Sequence, residues 1–218
     1  MPTQTKENYL KSIYFLSQKN KEVSITELSK DMNVSKPTAN NMVKKMEVKG
    51  WVEYEKYKPI KLTKSGKILG ALIVRKHRLT EMFLSQIMGF GWEEVHDIAE
   101  EMEHISSMLF FDRMDEILGF PTTDPHGSPI PDKSGKILSV SYLKLSSINV
   151  GQKVRLCGLV NSSNELLLYL NKKKIKLGTA MTITQIEKFD NSIEVSLEGD
   201  SKIFLSFEVC QSLLVEKV

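Results

Sequence analysis

The sequence predicts a mainly α-helical protein with a β-rich C-terminal part. Apolar residues recur at helical spacing through much of the first 118 positions, which is typical of amphipathic helices. A segment rich in proline and glycine follows at 121–135 and predicts a loop or linker. Beyond it, apolar and polar residues alternate, as they do in half-buried strands. We therefore predict three parts, at 1–70, 71–140 and 141–218.

The composition is that of an ordinary globular protein. Hydrophobic residues make up 41% of the 218 positions and charged residues 26%, which excludes a disordered chain. The N-terminus has no apolar signal-peptide core, and the longest apolar run is too short to cross a bilayer. We therefore expect a soluble, cytoplasmic protein. Cys157 and Cys210 form no spaced motif, which favours buried thiols over a disulfide or a zinc site.

The net charge of +3 is unevenly distributed along the chain. Residues 1–70 have a net charge of +7, residues 71–135 of −7, and residues 136–218 of +3. A basic first third favours a polyanionic partner such as nucleic acid. An acidic middle third favours cations, although it could also be the solvated face of helices.

The basic first third has the pattern of a winged helix-turn-helix domain. An amphipathic first helix is followed by Ser24 and Glu27, whose spacing is a capping-box signature for a second, short helix. Ser35 caps a third helix, and Pro37 is tolerated in its first turn. Two short extended segments on either side of Lys56–Pro59 predict a hairpin, which would be the wing.

The exposed face of the third helix and the wing have side chains suited to double-stranded DNA. Asparagine can bond adenine edges, threonine can contact the thymine methyl group, and lysine can neutralise phosphate. A small helical domain with a merely polar face is the alternative. The candidate DNA-binding residues are Ser35, Lys36, Pro37, Thr38, Asn40, Asn41, Lys44, Lys56 and Lys58.

All four histidines of the chain lie in the acidic middle part or its proline-rich loop, most of them near carboxylates at helical spacing. We predict one helix ending near Met88, a break at Gly89–Gly91, and a second helix from about Trp92 to Leu118. Four candidate groups project from that second helix within an arc of about 100°. Imidazole and carboxylate together suit divalent Mn, Fe, Co, Ni or Zn, although such pairs also occur on surfaces without metal. The candidate ligands are His77, Glu81, His96, Glu100, Glu103, His104, Asp124 and His126.

The order of these parts, and the motifs within them, resemble the diphtheria toxin repressor (DtxR/MntR) family of metal-dependent transcriptional regulators. The resemblance covers about residues 5–135. Residues 140–218 are similar only in pattern, to the SH3-like, FeoA-type domain of the family. The matching segments are Glu7–Tyr14, Ser35–Thr38, Leu62–Gly66, Arg75–Leu79, Val95–Asp97, Glu103–His104 and Pro125–Pro131.

The resemblance implies two metal sites. The regulatory site would use Asn8, Glu100, Glu103 and His104. The second site would use His77, Glu81 and His96. Some members of the family instead build the second site from the positions of Glu81, Asp124 and His126 together with a group of the C-terminal domain, for which Glu165 is a candidate.

The chain departs from the family pattern at positions that bear on the choice of metal. Family members usually place Asp or Met where this chain has Asn8, whose carbonyl oxygen is a weaker ligand than a carboxylate. Glu100 stands where iron-type members have cysteine. Some manganese members have Glu at the position of Lys11, and a protonated lysine cannot ligate. Oxygen ligands favour hard ions, so we expect Mn²⁺, with Fe²⁺ as the alternative and Zn²⁺ or Co²⁺ able to bind in vitro.

The resemblance implies a repressor rather than an enzyme. Metal binding would promote binding of a palindromic operator by a homodimer, and the repressed genes would encode metal uptake. A metal-independent winged-helix regulator and a metalloenzyme whose clusters activate water are the alternatives, and metal dependence of operator binding separates them. The candidate dimer-interface residues, which could equally be core, are Met88, Phe90, Leu109, Phe110 and Leu118.

Overall fold

The computed structural model describes residues 3–20, 22–138, 140–198 and 201–218. Contacts divide the chain into two compact units, each assembled from three segments. Unit 1 comprises Met1–Thr80, Asp97–Thr122 and Ile130–Leu138. Unit 2 comprises Glu81–His96, Thr123–Pro129 and Ser139–Val218. The division into three domains at residues 70 and 140 stays a prediction.

Unit 1 begins with three helices and an antiparallel hairpin, as the sequence predicts. These elements are α1 (Gln4–Lys19), α2 (Ile25–Asp31), α3 (Lys36–Val48), β1 (Val52–Glu53) and β2 (Lys61–Leu62). Within the described residues, the hairpin is the only pair of strands in this part of the chain.

Local side-chain contacts fix where α2 and α3 begin. The Ser24 hydroxyl accepts a hydrogen bond from the Glu27 N–H, and the Glu27 carboxylate accepts one from the Ser24 N–H. This is the predicted capping box. The Ser35 hydroxyl accepts from the Thr38 N–H, and Pro37 lies in the first turn of α3. The predicted starts of both helices are confirmed.

The apolar face of α1 builds the core of this helical group. Tyr9, Leu10, Ile13 and Tyr14 are buried together with side chains of α2, α3 and the hairpin. Burial of such side chains contributes about 1.5–3 kcal/mol each. The helix α1 and the helix-turn-helix therefore form one packed body, and a group that moves α1 also acts on α3.

Three further helices follow, and one sequence prediction is wrong. They are α4 (Lys64–Gln86), α5 (Val95–Met102) and α6 (Met108–Ile117). The single helix predicted from Trp92 to Leu118 is therefore two shorter ones. The Lys76 ammonium group donates hydrogen bonds to the carbonyl oxygens of Glu103 and Ile105 at 2.7 and 3.2 Å. This contact stabilises the turn after α5, and Ser107 caps α6 by accepting from the Phe110 N–H.

Unit 2 contains a six-stranded antiparallel sheet with the strand order β3-β8-β4-β5-β6-β7. Its elements are β3 (Leu143–Lys144), β4 (Lys153–Leu159), α7 (Asn164–Lys172), β5 (Ala180–Ile186), β6 (Ile193–Leu197), β7 (Lys202–Leu205), α8 (Phe207–Ser212) and β8 (Leu213–Lys217). Its core comes from alternate strand positions, such as Val154, Leu156, Ile193 and Val195. The predicted strand-rich C-terminal part is confirmed.

The alternating pattern misleads at its end. The alternation of Ile203, Leu205, Phe207 and Val209 with polar residues predicts a strand through all four, but β7 ends at Leu205 and α8 begins at Phe207. The Ser206 hydroxyl caps α8 by accepting from the Val209 N–H, which is a favoured helix start. Among the described residues, none of the helices has the length and apolarity that a membrane span requires.

Candidate metal centres and DNA-binding surface

A buried polar cluster joins α1 to the turn after α5 within unit 1. The Glu103 side chain is fully buried. Its Oε2 accepts hydrogen bonds from Lys11 Nζ at 2.8 Å and from His77 Nδ1 at 2.7 Å. Lys11 Nζ also donates to Glu100 Oε1 at 2.5 Å. Because a carboxylate only accepts hydrogen bonds, the proton of His77 is on Nδ1.

His104 is held by a residue of α1. Its Nδ1 lies 2.6 Å from Glu7 Oε2, and the two side chains are only 10% and 12% exposed. The carboxylate accepts this hydrogen bond, so Nδ1 has the proton and Nε2 keeps its lone pair. A histidine whose second nitrogen is bound to a carboxylate is typical of metal ligands. Glu7 therefore holds His104 with the Nε2 lone pair available to accept a further partner.

Three buried acceptor atoms of this region have no hydrogen-bond partner among the described residues: Asn8 Oδ1, Glu103 Oε1 and His104 Nε2. The last two lie 3.8 Å from each other. An unsatisfied buried acceptor costs about 1–3 kcal/mol, and a bound cation would supply the missing partner. Two oxygens and one imidazole nitrogen form a donor set that fits a divalent metal ion.

The helix break explains why these groups meet. Glu103 and His104 lie in the turn after α5 rather than on its stripe, because Lys76 binds the carbonyl oxygens there. Their side chains can therefore point toward α1 from consecutive positions. The predicted single stripe of His96, Glu100, Glu103 and His104 is wrong in geometry, although Glu100 and Glu103 do lie close together with His77.

A second cluster lies within unit 2. Glu81, Asp124 and His126 are buried, and each offers one ligand atom within 4.8 Å of the others. His126 Nε2 lies 2.7 Å from the Trp92 carbonyl oxygen, to which it donates. Nδ1 lies 3.8 Å from Glu81 Oε2. Burial alone would lower the pKa of His126, but Glu81, Asp124 and the Trp92 carbonyl outweigh burial and raise it.

The loop that contains Asp124 and His126 is fixed by its own backbone. Asp124 Oδ1 accepts hydrogen bonds from the N–H groups of His126 and Ser128 at 2.8 and 2.9 Å. Gly127 has a φ of +82°, and a Cβ there would lie 2.2 Å from the carbonyl oxygen of Cys157 on β4. Only glycine fits this position. The loop is thus held against β4, and His126 is oriented with it.

The other candidate ligands are placed as follows. His96 is 61% exposed, with Nδ1 3.3 Å from Glu81 Oε1 in unit 2. His77 belongs to unit 1 and binds Glu103. The grouping of His77 with Glu81 and His96 takes members from both units and stays a prediction. Glu165 is exposed at the start of α7, and the metal-ligand groups formed by the described residues do not include it.

Sequence reasoning missed two residues of the first cluster and assigned no role to a third. Glu7 orients His104, Lys76 shapes the turn, and Lys11 binds both Glu100 and Glu103. The spacing of Glu7 and Lys11 is that of an ordinary ion pair on a helix surface. The sequence nevertheless indicates that these two side chains lie near the core, because Glu7 and Lys11 flank the apolar face of α1 that begins at Tyr9.

The predicted DNA-binding residues line the exposed side of α3 and the hairpin in unit 1. All are exposed except Asn40, which is half-buried and accepts a hydrogen bond from the Tyr54 hydroxyl at 2.6 Å. A groove of about 650 Å³ separates α3 from the hairpin, with Lys36 on one side and Lys56 on the other. Lys56 Nζ lies 4.8 Å from the ring centre of Tyr57, which is 90% exposed.

The candidate dimer residues differ in exposure. Met88, Leu109 and Phe110 are exposed apolar side chains. Phe90 is half-buried. Leu118 is buried, so it belongs to the core of unit 1 rather than to a free surface.

A winged helix-turn-helix beside a buried cluster of histidines and carboxylates defines a metal-responsive DNA-binding protein. Three family models match successive segments of the chain. The N-terminal DNA-binding domain of iron-dependent repressors matches residues 1–60, and their metal-binding and dimerisation domain matches residues 63–132. The FeoA domain matches residues 143–217.

Solved structures and curated proteins agree with these matches. A manganese-dependent transcriptional repressor in complex with manganese has a TM-score of 0.86 and 29% identity, over 97% of this chain and 99% of that one. The manganese regulator SloR has a TM-score of 0.73 and 31% identity, over 98% of both chains. The iron-dependent repressor IdeR of Mycobacterium tuberculosis is 26% identical over 98% of this chain and 97% of its own length.

The chain belongs to the diphtheria toxin repressor family of metal-dependent transcriptional regulators. The diphtheria toxin repressor of Corynebacterium glutamicum is 33% identical to it over 58% of this chain and 56% of that protein. The members of the family are DNA-binding transcriptional repressors and not enzymes.

Proposed function

We propose that this protein is a metal-dependent repressor of metal-uptake genes, acting in the cytoplasm as a homodimer on a palindromic operator. The observation that carries the proposal is the set of buried, unpartnered acceptors in the same unit as the winged helix-turn-helix: Asn8 Oδ1, Glu103 Oε1 and His104 Nε2.

Mn²⁺ is the proposed metal, with Fe²⁺ as the alternative. The donors are carboxylate, amide oxygen and imidazole, and none of the proposed ligands is a cysteine or a methionine. Such a set favours hard ions over soft ones. Similar structures are described as manganese-dependent, whereas curated relatives are named iron-dependent.

Two groups of ligands are proposed. The regulatory ion would be held by Asn8, Glu103 and His104, with Glu100 beside them. The second ion would be held in unit 2 by Glu81, Asp124 and His126, and His77 and His96 are the further candidates for that role. When bound, the regulatory ion supplies positive charge between α1 and the turn after α5.

The chain's own packing supports a link between this cluster and DNA. Leu10 and Ile13 of α1 are buried in the same core as Val43 and Met46 of α3. Glu7, Asn8 and Lys11 belong to the same α1 helix. A group that fixes α1 against the turn after α5 therefore fixes α3 as well. The metal favours the DNA-competent state by its differential affinity for that state.

The proposed DNA contacts are the nine residues of α3 and the hairpin. A dimer would place two α3 helices about one DNA turn apart, which matches a palindromic site. Exposed apolar residues such as Leu109 and Phe110 on α6 are proposed for the dimer contact. Large exposed apolar patches are uncommon on monomers and mark interaction surfaces.

The test is a titration of selected palindromic DNA with the full chain in chelator, Mn²⁺, anaerobic Fe²⁺ and Zn²⁺. Salt is held fixed because phosphate contacts make affinity salt-dependent. We expect tight binding only with metal, lost in Glu103→Gln and kept in Glu101→Gln, which alters an exposed neighbour on α5. Equal binding in chelator would refute metal gating, and no binding to any DNA would refute the proposal.

A further inference from the structure

We propose that Tyr54 is a positioning residue for DNA recognition, which holds the Asn40 side chain so that its amide N–H groups face an acceptor atom of DNA. This inference rests on the proposed function, because Asn40 belongs to the proposed DNA-binding surface. Asn40 lies on α3, and Tyr54 directly follows β1 in the hairpin. Both belong to unit 1.

A hydrogen bond between the two side chains fixes the orientation of the Asn40 amide. The Tyr54 hydroxyl donates to Asn40 Oδ1 at 2.6 Å, across 14 positions of sequence. Both side chains are half-buried, and partial shielding from water strengthens such a bond. An asparagine amide has one acceptor oxygen and an NH₂ group with two donors. Because the oxygen is bound to Tyr54, the NH₂ group is the end that is presented to DNA.

The surroundings of the pair favour a negatively charged partner. Asn40 and Tyr54 line the groove of about 650 Å³ between α3 and the hairpin, together with Lys36 and Lys56. Among the described residues, neither lysine forms an ion pair and no protein group accepts from Asn40 Nδ2. A phosphate oxygen combines the acceptor chemistry and the charge that suit this groove. Purine N7 in the major groove is an acceptor as well.

The neighbouring asparagine has a different environment. Asn41 is exposed on α3, and its amide has no hydrogen-bond partner within the part of the chain that the structure describes. Bidentate recognition of adenine needs the amide oxygen and an amide N–H at the same base edge. Asn41 can turn its amide to meet this need, whereas Asn40 Oδ1 is directed to the hairpin. Asn40 is therefore a donor, and adenine recognition falls to Asn41.

The experiment is a double-mutant cycle on DNA affinity, because such a cycle separates a direct effect of Tyr54 from one that acts through Asn40. The probe is a palindromic duplex selected with the unaltered full chain and Mn²⁺, and salt is held fixed. The variants are Tyr54→Phe, Asn40→Ala and the double variant. The matched control is Tyr169→Phe, which removes one hydroxyl from a half-buried side chain on α7 in unit 2. Thermal unfolding checks that each protein is folded.

We expect Tyr54→Phe to raise the dissociation constant about 10- to 100-fold, since a dimer loses one oriented hydrogen bond in each half-site. Asn40→Ala should raise it at least as much. In the Asn40→Ala background, Tyr54→Phe should change it by less than about twofold. Tyr169→Phe should match the unaltered chain. A role of Tyr54 in packing alone would instead lower affinity in both backgrounds.

Modified duplexes identify the acceptor atom on the DNA. One set places a neutral methylphosphonate at single phosphates, and the other places 7-deazapurines at single purines. At the contacted position, the modification should weaken binding of the unaltered chain but not that of Asn40→Ala. Such a position in the first set identifies a phosphate oxygen, and one in the second set identifies purine N7. Either result supports Asn40 as a donor.

Three results would overturn the inference alone. The first is unchanged affinity in folded Tyr54→Phe, and the second is an equal loss with and without Asn40. The third is that neither set of modified duplexes contains a position that depends on Asn40. If the unaltered chain selects no DNA with Mn²⁺ or Fe²⁺, the proposed function fails, and the inference fails with it.

Discussion

Glu7 should control the metal affinity of the regulatory site although it is not a proposed ligand. Its Oε2 accepts a hydrogen bond from His104 Nδ1 at 2.6 Å, and both side chains are mostly shielded from water. The bond keeps the proton on Nδ1 and the lone pair on Nε2. In Glu7→Ala, His104 can rotate or protonate Nε2, which removes a donor from the site.

The magnitude follows from the type of contact. A hydrogen bond to a charged group contributes about 1.5–3 kcal/mol, and about 1.4 kcal/mol corresponds to tenfold in affinity. We therefore expect Glu7→Ala to weaken Mn²⁺ binding about 10- to 100-fold, the range typical of residues that orient a metal ligand. Glu7→Gln keeps an acceptor but loses the charge, so its effect should be smaller.

The assay is competition for Mn²⁺ against a fluorescent chelator, with the full chain and its variants. Glu22→Ala is the control, because Glu22 is exposed in the segment between α1 and α2. A Glu7→Ala protein that is folded and binds Mn²⁺ within about threefold of the parent would refute the orienting role. An equal loss in Glu22→Ala would show that the effect is only that of overall charge.

Two further predictions concern buried groups. Asp115→Ala leaves the buried Arg75 without the carboxylate that it pairs with at 2.5 Å, so the free energy of unfolding measured in urea should fall by about 3–5 kcal/mol. Asp112→Ala, which removes the exposed pair with Lys133, should lower it by under about 1 kcal/mol. Equal losses in the two variants would contradict the role of burial. Burial raises the pKa of Cys210 to about 12, so at pH 8 its thiolate fraction, and its rate with a disulfide reagent, should be about a thousandfold below those of an ordinary thiol. Because burial raises the pKa of the Cys210 thiol in the folded state, the stability that the neutral thiol gives the folded protein is complete below the ordinary thiol pKa and is lost as pH rises toward 12. Fast reaction of Cys210 in the native protein, read by mass spectrometry, would contradict the raised pKa.

The helix-turn-helix could be predicted because its signals are local. Ser24 with Glu27, and Ser35 with Pro37, mark helix starts within four residues of chain. Capping depends on such near neighbours, so the pattern identifies it without tertiary information. The same holds for the strands of unit 2, whose alternation reflects one buried face.

The candidate metal-binding cluster of histidines and carboxylates could be predicted in composition but not in geometry. The end of α5 depends on Lys76, which reaches the turn from α4 across 27 positions of sequence. The partner of His104 is Glu7, 97 positions away. No periodicity encodes contacts at these separations, and the apolar pattern from Trp92 to Leu118 continues through the turn. The ligand types were evident, whereas the residues that orient them required the fold.

The close contact at Gly127 limits how freely the C-terminal part can be exchanged. Segments 81–96 and 123–129 belong to unit 2, although the chain returns to unit 1 before residue 139. The backbone at Gly127 leaves no room for a side chain against Cys157. A recombination point at residue 138 would thus pair one protein's loop with another protein's strand. In gene shuffling, the C-terminal domain can be exchanged as a module only when the loop at 123–129 comes from the same protein.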